Sequence, residues 1–295
     1  MGKNINNNNN KKKKKKEHPK YFLRRLAAFF IIITSIWYFN NYSIKIVKKE
    51  IYSDKIVSPL KIAIMSDYHA EKYLSKKSSS IIKKLDKINP DLVFYLGDMY
   101  SRNSKEDEIE LAEKLMIDTV KAGYDVFFVP GDHDRSVNYL NVLMQNGVNV
   151  MNYQTMQLNI KGNDIQIYGI NNAYFSNSFN LSKEFSIDSS KYNILMAHIP
   201  MYKYYDDFGA DLTVCGDTHG GIIQIPFGKG PVYYSLTDEW FPEIKNQRND
   251  IYDKGLFSMS GENKYMFVTS GIGNYPVHLR FNNRPEIVVI DILPD

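Results

Sequence analysis

Apolar and polar positions follow two different periods along the chain, and these periods predict strands and helices in turn. Between residues 60 and 147, apolar runs of strand length alternate with segments of helical spacing. This alternation predicts βαβ units with parallel strand pairing. The predicted strands of this half are 60–66, 91–97 and 124–130, and the predicted helices are 75–88, 105–121 and 136–147.

Helices become rarer after residue 148. The apolar and polar positions of 156–170 predict a hairpin. Further strands are predicted at 192–198, 211–216, 222–226, 265–270 and 286–292. We find no repeat and no internal linker, so residues 58–295 are predicted to form one α/β domain.

The N-terminal region differs from this domain in composition. Residues 1–20 are rich in Asn and Lys and are predicted to be a disordered basic cytoplasmic tail. Residues 21–44 are predicted to be a transmembrane signal-anchor helix, and residues 45–57 a spacer. The uncharged core of this helix, Leu26 to Phe39, has 14 residues, which span only about 21 Å of the roughly 30 Å hydrocarbon layer.

Three interpretations of the apolar helix are open from the sequence. A helix of this length is typical of a cleaved signal peptide. No clear Ala-x-Ala cleavage site follows it, and Trp37, Tyr38 and Tyr42 are placed as an interfacial aromatic belt, which favours an uncleaved anchor. A buried soluble helix is the third alternative. For an anchor, the positive charge before the helix predicts a single-pass cell-membrane protein with an extracytoplasmic domain.

The charge distribution argues against a nucleic-acid partner. The net charge is +4, but ten Lys or Arg and one acidic residue lie between Lys3 and Arg25. Removing them from the totals of 37 basic and 33 acidic residues leaves 27 and 32, so the folded body is acidic. Nucleic-acid binders carry their positive charge on the folded domain. The single cysteine, Cys215, excludes a disulfide within the chain and a cysteine-based zinc cluster.

Five predicted strands end in aspartate or histidine. The sequences at these ends are Asp67-Tyr68-His69, Gly97-Asp98, Gly131-Asp132-His133-Asp134, His198-Ile199-Pro200 and Gly216-Asp217-Thr218-His219. Each motif alone is more often a turn than a ligand. Because ligands bind at the carboxyl edge of open α/β sheets, the set as a whole predicts a metal site there.

The order of these motifs resembles that of the calcineurin-like metallophosphoesterases. That family carries D-x-H, G-D, G-N-H-D/E, H and G-H-x-H, and this chain carries D-Y-H, G-D, G-D-H-D, H and G-D-T-H. The segment "GGIIQIP" and the ending "SGIGNYPVHLRFNNRPEIVVIDI" are similar to a membrane-associated bacterial branch of the family. The resemblance covers about residues 60–295 and implies a four-layer αββα sandwich with two divalent metal ions.

The resemblance also implies roles for individual residues. Asp67, His69 and His219 are expected to bind the first metal, and Asp132, His198 and Asp217 the second. Asp98 is expected to bridge the two. His133 is expected to act on the leaving-group oxygen as an acid or charge stabiliser, and Asp134 to help hold its loop.

The implied chemistry is hydrolysis of a phosphate ester by a metal-bridging hydroxide. Two cations neutralise the phosphate oxygens and supply hydroxide at neutral pH. Two positions depart from the family pattern, because Asp132 replaces asparagine and Asp217 replaces histidine. Four carboxylates then face two divalent cations, which alters the second site and favours Mn, Fe, Mg or Ca over Zn.

Other residues are candidates for binding substrate. Arg280, Arg284 and His278 are candidates for holding phosphate, with a surface role as the alternative. Trp240 and Phe241 are among the loop aromatics expected either to hold a lipid or sugar or to cover the core. We expect a membrane-anchored metallophosphoesterase, for monoesters or diesters, acting on an envelope or lipid-linked phosphate. The alternative is a catalytically weakened cell-surface protein that binds metal or phosphate; a cytoplasmic nuclease is disfavoured.

Overall fold

Two six-stranded β-sheets form the centre of the fold. The computed structural model describes residues 19–72, 75–171, 180–243 and 250–295, so most of the predicted disordered tail at 1–20 lies outside the described residues. In spatial order, the first sheet contains β1 (Lys45–Ser53), β14 (Glu286–Pro294), β2 (Leu60–Met65), β3 (Leu92–Tyr95), β4 (Asp125–Phe128) and β5 (Asn149–Val150).

The second sheet is built mainly from the C-terminal half of the domain. In spatial order it contains β12 (Gly255–Ser258), β13 (Tyr265–Val268), β9 (Leu212–Cys215), β8 (Tyr192–Met196), β7 (Asn163–Gly169) and β6 (Gln154–Ile160). Strands β10 (Tyr233–Tyr234) and β11 (Glu239–Trp240) form a separate small hairpin. The helices are α1 (Pro19–Tyr42), α2 (Ser75–Ile88), α3 (Glu106–Lys121), α4 (Val137–Gln145), α5 (Leu181–Glu184) and α6 (Tyr202–Phe208), with a 3-10 turn at His219–Gly221.

Both sheets are mostly parallel, as the βαβ pattern predicts. Strands β2 to β5 run parallel, and β14 pairs antiparallel with β2. In the second sheet, β13, β9, β8 and β7 run parallel between the antiparallel edge strands β12 and β6. The carboxyl ends of the central strands therefore lie along one edge of each sheet.

Alternation of side chains along the strands produces four layers. Ile62, Phe94 and Ile194 belong to a buried cluster between the two sheets. Their neighbours in sequence, such as Ala63, pack with the residues of α2, α3 and α4 on the outer face of the first sheet. Leu195, on the outer face of the second sheet, packs with residues of α5 and α6. This arrangement confirms the predicted αββα sandwich.

The segment predicted as a spacer at 45–57 contains a strand. β1 pairs in parallel with β14 over nine residues, from Lys45 opposite Glu286 to Ser53 opposite Pro294. Its position at the sheet edge leaves most of its side chains exposed or half-buried. Because it contains lysines, it lacks the continuous apolar run from which the inner strands are predicted.

The predicted strand at 222–226 is replaced by a turn. Ile222 has a φ of 58°, which is incompatible with a regular strand. This segment makes only isolated bridges in the described part of the chain, from Ile223 to Phe281 and from Gln224 to Pro231.

Helix α1 has the length and composition of a membrane span or a signal segment. Its apolar part, Lys20–Tyr42, has 23 residues, and the most apolar stretch of 18 residues within it contains no buried residue. A helix with no buried apolar window is not a core helix, which argues against the buried soluble alternative.

The C-terminal end of α1 is nevertheless built into the domain. Asn41 is fully buried; its Oδ1 accepts a hydrogen bond from the Arg280 amide at 2.8 Å, and its carbonyl accepts one from Asn274 Nδ2 at 3.0 Å. The Arg284 guanidinium donates to Ser43 and lies 4.0 Å from the centre of the Phe39 ring. The helix therefore enters the domain in a fixed position.

We expect Asn41→Ala to destabilise the protein, because it leaves the buried Arg280 amide without an acceptor. The expected loss is about 1–3 kcal/mol in the free energy of unfolding, or roughly 2–8 °C in Tm. Thermal unfolding of the detergent-solubilised full chain measures it. Asn159→Ala, at an exposed asparagine of β6, is the matched control and should change stability by less than about 0.5 kcal/mol. Equal Tm values for both variants would contradict the structural role of Asn41.

Candidate metal centre

The carboxyl ends of β2, β3, β4, β8 and β9 bring the seven predicted metal ligands together. Their ligand atoms form overlapping groups in which every atom lies within 4.8 Å of the others. These groups are Asp67 with His69 and His219, Asp67 with Asp98 and His198, and Asp132 with His198 and Asp217; a fourth contains His69, Asp98 and His133. Residues from both sheets thus form one cluster.

Asp98 lies between the two halves of the cluster. Its Oδ2 is 3.3 Å from His198 Nε2 on one side and 3.7 Å from His69 Nε2 on the other. Its Oδ1 accepts a hydrogen bond from the His133 amide at 3.0 Å. A single carboxylate oxygen is therefore placed between the two ligand groups, while the other oxygen holds the carboxylate in position.

Five of the seven residues have left-handed backbone conformations. The φ angles of Asp67, His69, Asp98, Asp217 and His219 lie between 40° and 68°. Such conformations cost free energy for residues other than glycine and cluster at functional sites. Here they turn each chain sharply at its strand end, so that the side chain points into the cluster.

Two glycines allow the loops of the cluster to approach each other. A Cβ atom at Gly131 would overlap the Asp98 carboxylate, and one at Gly216 would overlap the side chain of Ser66, next to Asp67. Gly216 directly follows β9 of the second sheet, and Ser66 directly follows β2 of the first. The absence of a side chain at position 216 therefore allows the two sheets to approach at this edge.

The imidazole rings present ring nitrogens that fit a metal. His198 Nδ1 lies 2.6 Å from the Leu96 carbonyl, and since a carbonyl only accepts, Nδ1 carries the proton and Nε2 presents its lone pair. His69 Nδ1 contacts Ser101 Oγ at 2.9 Å. The Nε2 atoms of both rings are buried and have no hydrogen-bond partner among the described residues. Metal-binding histidines have this pattern, in which the second nitrogen is held by a polar group.

The pKa values of the cluster shift in both directions. The pKa of Asp98 is lowered and that of His198 is raised, because the attraction between the two groups outweighs their burial, whereas burial raises the pKa of Asp217. Burial raises the pKa of Asp67 to about 7, and it lowers the pKa of His69 to about 3. Burial also lowers the pKa of His219. A bound divalent cation compensates buried carboxylates and requires neutral imidazoles. The donor set of four carboxylates and three imidazoles fits such ions.

His133 faces the cluster with a defined tautomer. Its Nδ1 accepts a hydrogen bond from the Arg102 amide at 2.7 Å, so a neutral ring carries its proton on Nε2. This Nε2 lies 3.8 Å from Asp98 Oδ2 and 3.9 Å from Asp132 Oδ2. Its N–H is thus directed toward the candidate metal site.

Asp134 does not line the cavity. Its two carboxylate oxygens accept hydrogen bonds from the amides of Met99 and Gly131, at 3.1 and 3.0 Å. Burial raises its pKa to about 7. These contacts join the loops after β3 and β4, which suits the expectation that Asp134 holds its loop.

A cavity of about 560 Å³ opens over the cluster. Asp98, Asp132, His133, Asp217 and His219 line one side. The other side is largely apolar and contains Ile222, Ile223, Val232, Leu236, Trp240, Pro276 and Val277. This wall is apolar enough to hold a non-polar part of a ligand beside the metal ligands.

Tyr275 is a residue of the site that the sequence analysis did not identify. Its ring stacks on His69 with a centroid distance of 4.3 Å and an interplanar angle of 16°. Its edge contact with His133 has a centroid distance of 5.2 Å. Tyr275 lies in the C-terminal segment that resembles the family branch, but nothing in that segment marks it as a residue of the site, and only the tertiary structure brings it beside the histidines.

The three residues predicted to bind substrate lie away from the cavity. Arg280 is 2% exposed, and its guanidinium donates to the carbonyls of Ser270, Gly273 and Asn283. Arg284 holds the end of α1. His278 stacks on Tyr42 and its Nε2 lies 3.3 Å from Glu71. The prediction of a phosphate clamp by these residues is therefore not supported, because their donors already serve structural contacts.

Asn283 and Asp253 hold the His219 loop, and the sequence analysis assigns neither of them a role. Asn283 Nδ2 donates to the carbonyls of His219, Gly220 and Ile222, at 2.7–3.3 Å. The Asp253 carbonyl accepts from Thr218 Oγ1, and its carboxylate accepts from Gln224 Nε2. Both residues lie more than 30 positions from His219 in the sequence, so their role depends on the fold.

Known proteins that are similar in sequence to this chain include metallophosphoesterases and a phosphodiesterase. An "uncharacterized metallophosphoesterase" of Helicobacter pylori is 28% identical over 267 residues, covering 85% of this chain and 64% of the relative. This chain thus spans less than two thirds of that relative. The metallophosphoesterase YkuE of Bacillus subtilis is 25% identical, covering 79% of this chain and 78% of the relative. The phosphodiesterase YaeI of Escherichia coli is 24% identical, covering 80% of this chain and 83% of the relative.

The family is established by a match to more than half of the chain. Residues 60–221 match the family model for calcineurin-like phosphoesterases. The matched segment contains all seven residues of the candidate metal cluster together with His133. The chain therefore belongs to the calcineurin-like phosphoesterase family.

Proposed function

We propose that this protein hydrolyses phosphate esters with the help of two divalent cations. The observation that carries the proposal is the position of Asp98 Oδ2 between the two ligand groups. Asp67, His69 and His219 would hold one cation, and Asp132, His198 and Asp217 the other. When bound, the two cations neutralise phosphate oxygens and make hydroxide available at neutral pH.

His133 is proposed to stabilise the charge on the departing oxygen. Its Nε2–H points toward the cluster because the Arg102 amide occupies Nδ1. A hydrogen bond donated from this position to the departing oxygen stabilises the negative charge that develops there. Tyr275 packs against both His133 and His69 and would keep the two rings in place.

The second cation site is proposed to prefer hard metals. Asp132 and Asp217 supply carboxylates where the family pattern has an amide and an imidazole. Oxygen ligands favour Mn, Mg and Fe over Zn. Four ionised carboxylates balance two divalent cations, so the site attracts an anionic substrate less strongly than the family pattern would.

The protein is proposed to be a single-pass membrane protein with its catalytic domain outside the cytoplasm. The basic residues before α1 favour this orientation. The burial of Asn41 in the domain favours retention of the helix, because cleavage after this residue would remove its buried contacts. The substrate would then be a phosphate ester of the cell envelope, lipid-linked esters included, and the similarity to YaeI favours a phosphodiester.

Asp98→Asn should abolish most of the activity, because it removes the charge shared by both ligand groups. We expect the Mn-dependent hydrolysis of bis(nitrophenyl) phosphate to fall at least about 100-fold. The metal content, measured by elemental analysis, should fall below the two ions per chain expected of the wild type. The matched control is Asp164→Asn, at an exposed aspartate of β7, which should leave both values unchanged.

Two outcomes would contradict this proposal separately. Equal rates for the wild type and Asp98→Asn would remove the hydrolytic function. One ion per chain in active wild-type protein saturated with Mn would remove the dinuclear centre while leaving hydrolysis in place.

His133→Ala should affect substrates according to their leaving group. An alkoxide leaving group develops more negative charge than nitrophenolate and depends more on a hydrogen-bond donor, so we expect the kcat of an alkyl phosphodiester to fall about 10²–10³-fold. Nitrophenolate is a stable anion, and its rate should fall far less. Measurement of kcat for both ester types tests this, and an equal loss for both would exclude a contact between His133 and the departing oxygen.

The double variant Asp132→Asn/Asp217→His restores the family pattern and should change the metal preference. We expect the ratio of Zn-supported to Mn-supported activity to rise about tenfold, because nitrogen ligands favour Zn. A metal scan of the nitrophenyl assay measures the ratio. An unchanged ratio would show that the two carboxylates do not select the metal.

A further inference from the structure

Five exposed apolar residues lie in loops that line the cavity or contact the end of α1, directly or through the neighbouring loop. Their exposed fractions are 98% for Phe227, 57% for Trp240, 49% for Val277, 53% for Leu279 and 49% for Phe281. We call these five residues the apolar rim. Isolated exposed apolar side chains are common, but a cluster of them marks an interaction surface.

The rim is attached to the helix through residues 277–281. Trp37 Nε1 donates to the His278 carbonyl at 2.9 Å, and the neighbouring Arg280 amide donates to Asn41 Oδ1 at 2.8 Å. The exposed residues Val277, Leu279 and Phe281 alternate with these two anchored positions. The inward contacts of 278 and 280 thus fix the segment against α1 while the apolar side chains between them stay exposed.

Phe227 belongs to the same surface. The amide of Gln224 donates to the Phe281 carbonyl at 3.0 Å, and the amide of Ile225 donates to the Gly230 carbonyl at 2.9 Å. These bonds fasten the 225–230 turn to the segment that holds α1. Phe227 lies at the tip of this turn, and Lys229 follows it.

The rim continues into the cavity. Trp240 and Val277 belong to both, because they are exposed and also line the cavity. The apolar wall formed by residues such as Ile222 and Leu236 then leads toward the candidate metal ligands. An apolar path therefore connects the end of α1 with the metal centre.

We propose that the apolar rim docks onto the bilayer that α1 crosses, so that the cavity opens at the lipid headgroups. The rim therefore contacts the outer leaflet of the membrane. Continuity with α1 carries the proposal, since the segment that contains three of the rim residues is hydrogen-bonded, through His278 and Arg280, to the last turns of a helix with an unburied apolar surface. Tryptophan and lysine are suited to the interface, where apolar groups meet lipid phosphates.

Docking in this position also predicts the class of substrate, and this part of the inference rests on the proposed function. A cavity that opens at the headgroups receives an amphiphile whose apolar part stays in the bilayer or on the apolar wall. Its phosphate ester then reaches the metal ligands. The substrate class is thus a phosphate ester of a membrane lipid.

The chain contains two tryptophans, which allows a direct test of docking. In Trp37→Phe, Trp240 is the one tryptophan left. The full-length variant is reconstituted into phosphatidylcholine vesicles with or without brominated acyl chains. We expect bromine near the glycerol end of the chains to quench Trp240 strongly and bromine near the methyl end to quench it less. Equal Trp240 fluorescence in brominated and unbrominated vesicles would overturn the docking.

A matched control places the reporter far from the helix. Val57 is 68% exposed and follows β1, whose nine residues lead away from α1 over a span of about 30 Å. In the triple variant Trp37→Phe/Trp240→Phe/Val57→Trp, the new reporter should not be quenched. Quenching at this position as well would show contact that is not specific to the rim, and would also overturn the proposal.

Activity measurements separate docking from catalysis. Phe227→Ser/Leu279→Ser changes two rim residues that do not line the cavity. Hydrolysis of a fluorogenic phosphodiester lipid in vesicles should fall at least about tenfold, while a soluble phosphodiester with the same leaving group should be hydrolysed at the wild-type rate. Equal losses for both substrates would overturn the proposal.

The outcomes distinguish the two proposals. If the wild type hydrolyses neither ester, the proposed function fails, and the quenching result still decides whether the rim docks. If the wild type hydrolyses the soluble ester but not the lipid ester, the substrate class is wrong while the hydrolytic function stands.

Discussion

The close approach of the two sheets at their carboxyl ends is the constraint on which the site depends. His198, at the end of β8 in the second sheet, is fully buried and bonds through Nδ1 to the Leu96 carbonyl beyond β3 in the first sheet. Gly216 allows this approach, because a Cβ there would overlap the Ser66 side chain. Ligands from different sheets meet only because the sheets are in contact at this edge.

This contact has an energetic cost that a cation offsets. Left-handed backbone at five ligand positions and buried imidazole nitrogens without a hydrogen-bond partner in the described part of the chain both oppose folding. Asp67 is fully buried, and burial raises its pKa to about 7. A ligand that compensates these features binds only the folded state and therefore stabilises it.

The sequence predicts the parts of the structure that local pattern determines. The inner strands are continuous apolar runs, and each ends in a polar motif, so both their existence and the clustering of Asp67, Asp98 and His198 follow from the pattern and the sheet-edge rule. Edge strand β1 escapes prediction because its exposed lysines break the apolar run. The burial of Arg280 does not follow from the sequence, because a sequence does not reveal that backbone carbonyls already bind its guanidinium.

The segment that follows β13 links α1 to the proposed metal ligands. The amides of Ile272 and Gly273 donate to the carbonyls of Ser66 and Asp67, at 2.9 and 2.7 Å. Arg280 joins this stretch to Asn283, which in turn holds the His219 loop. Because the Arg280 amide is also bonded to Asn41, movement of α1 relative to the domain would strain both ligand-bearing loops. The positions of two proposed metal ligands therefore depend on how α1 packs against the domain.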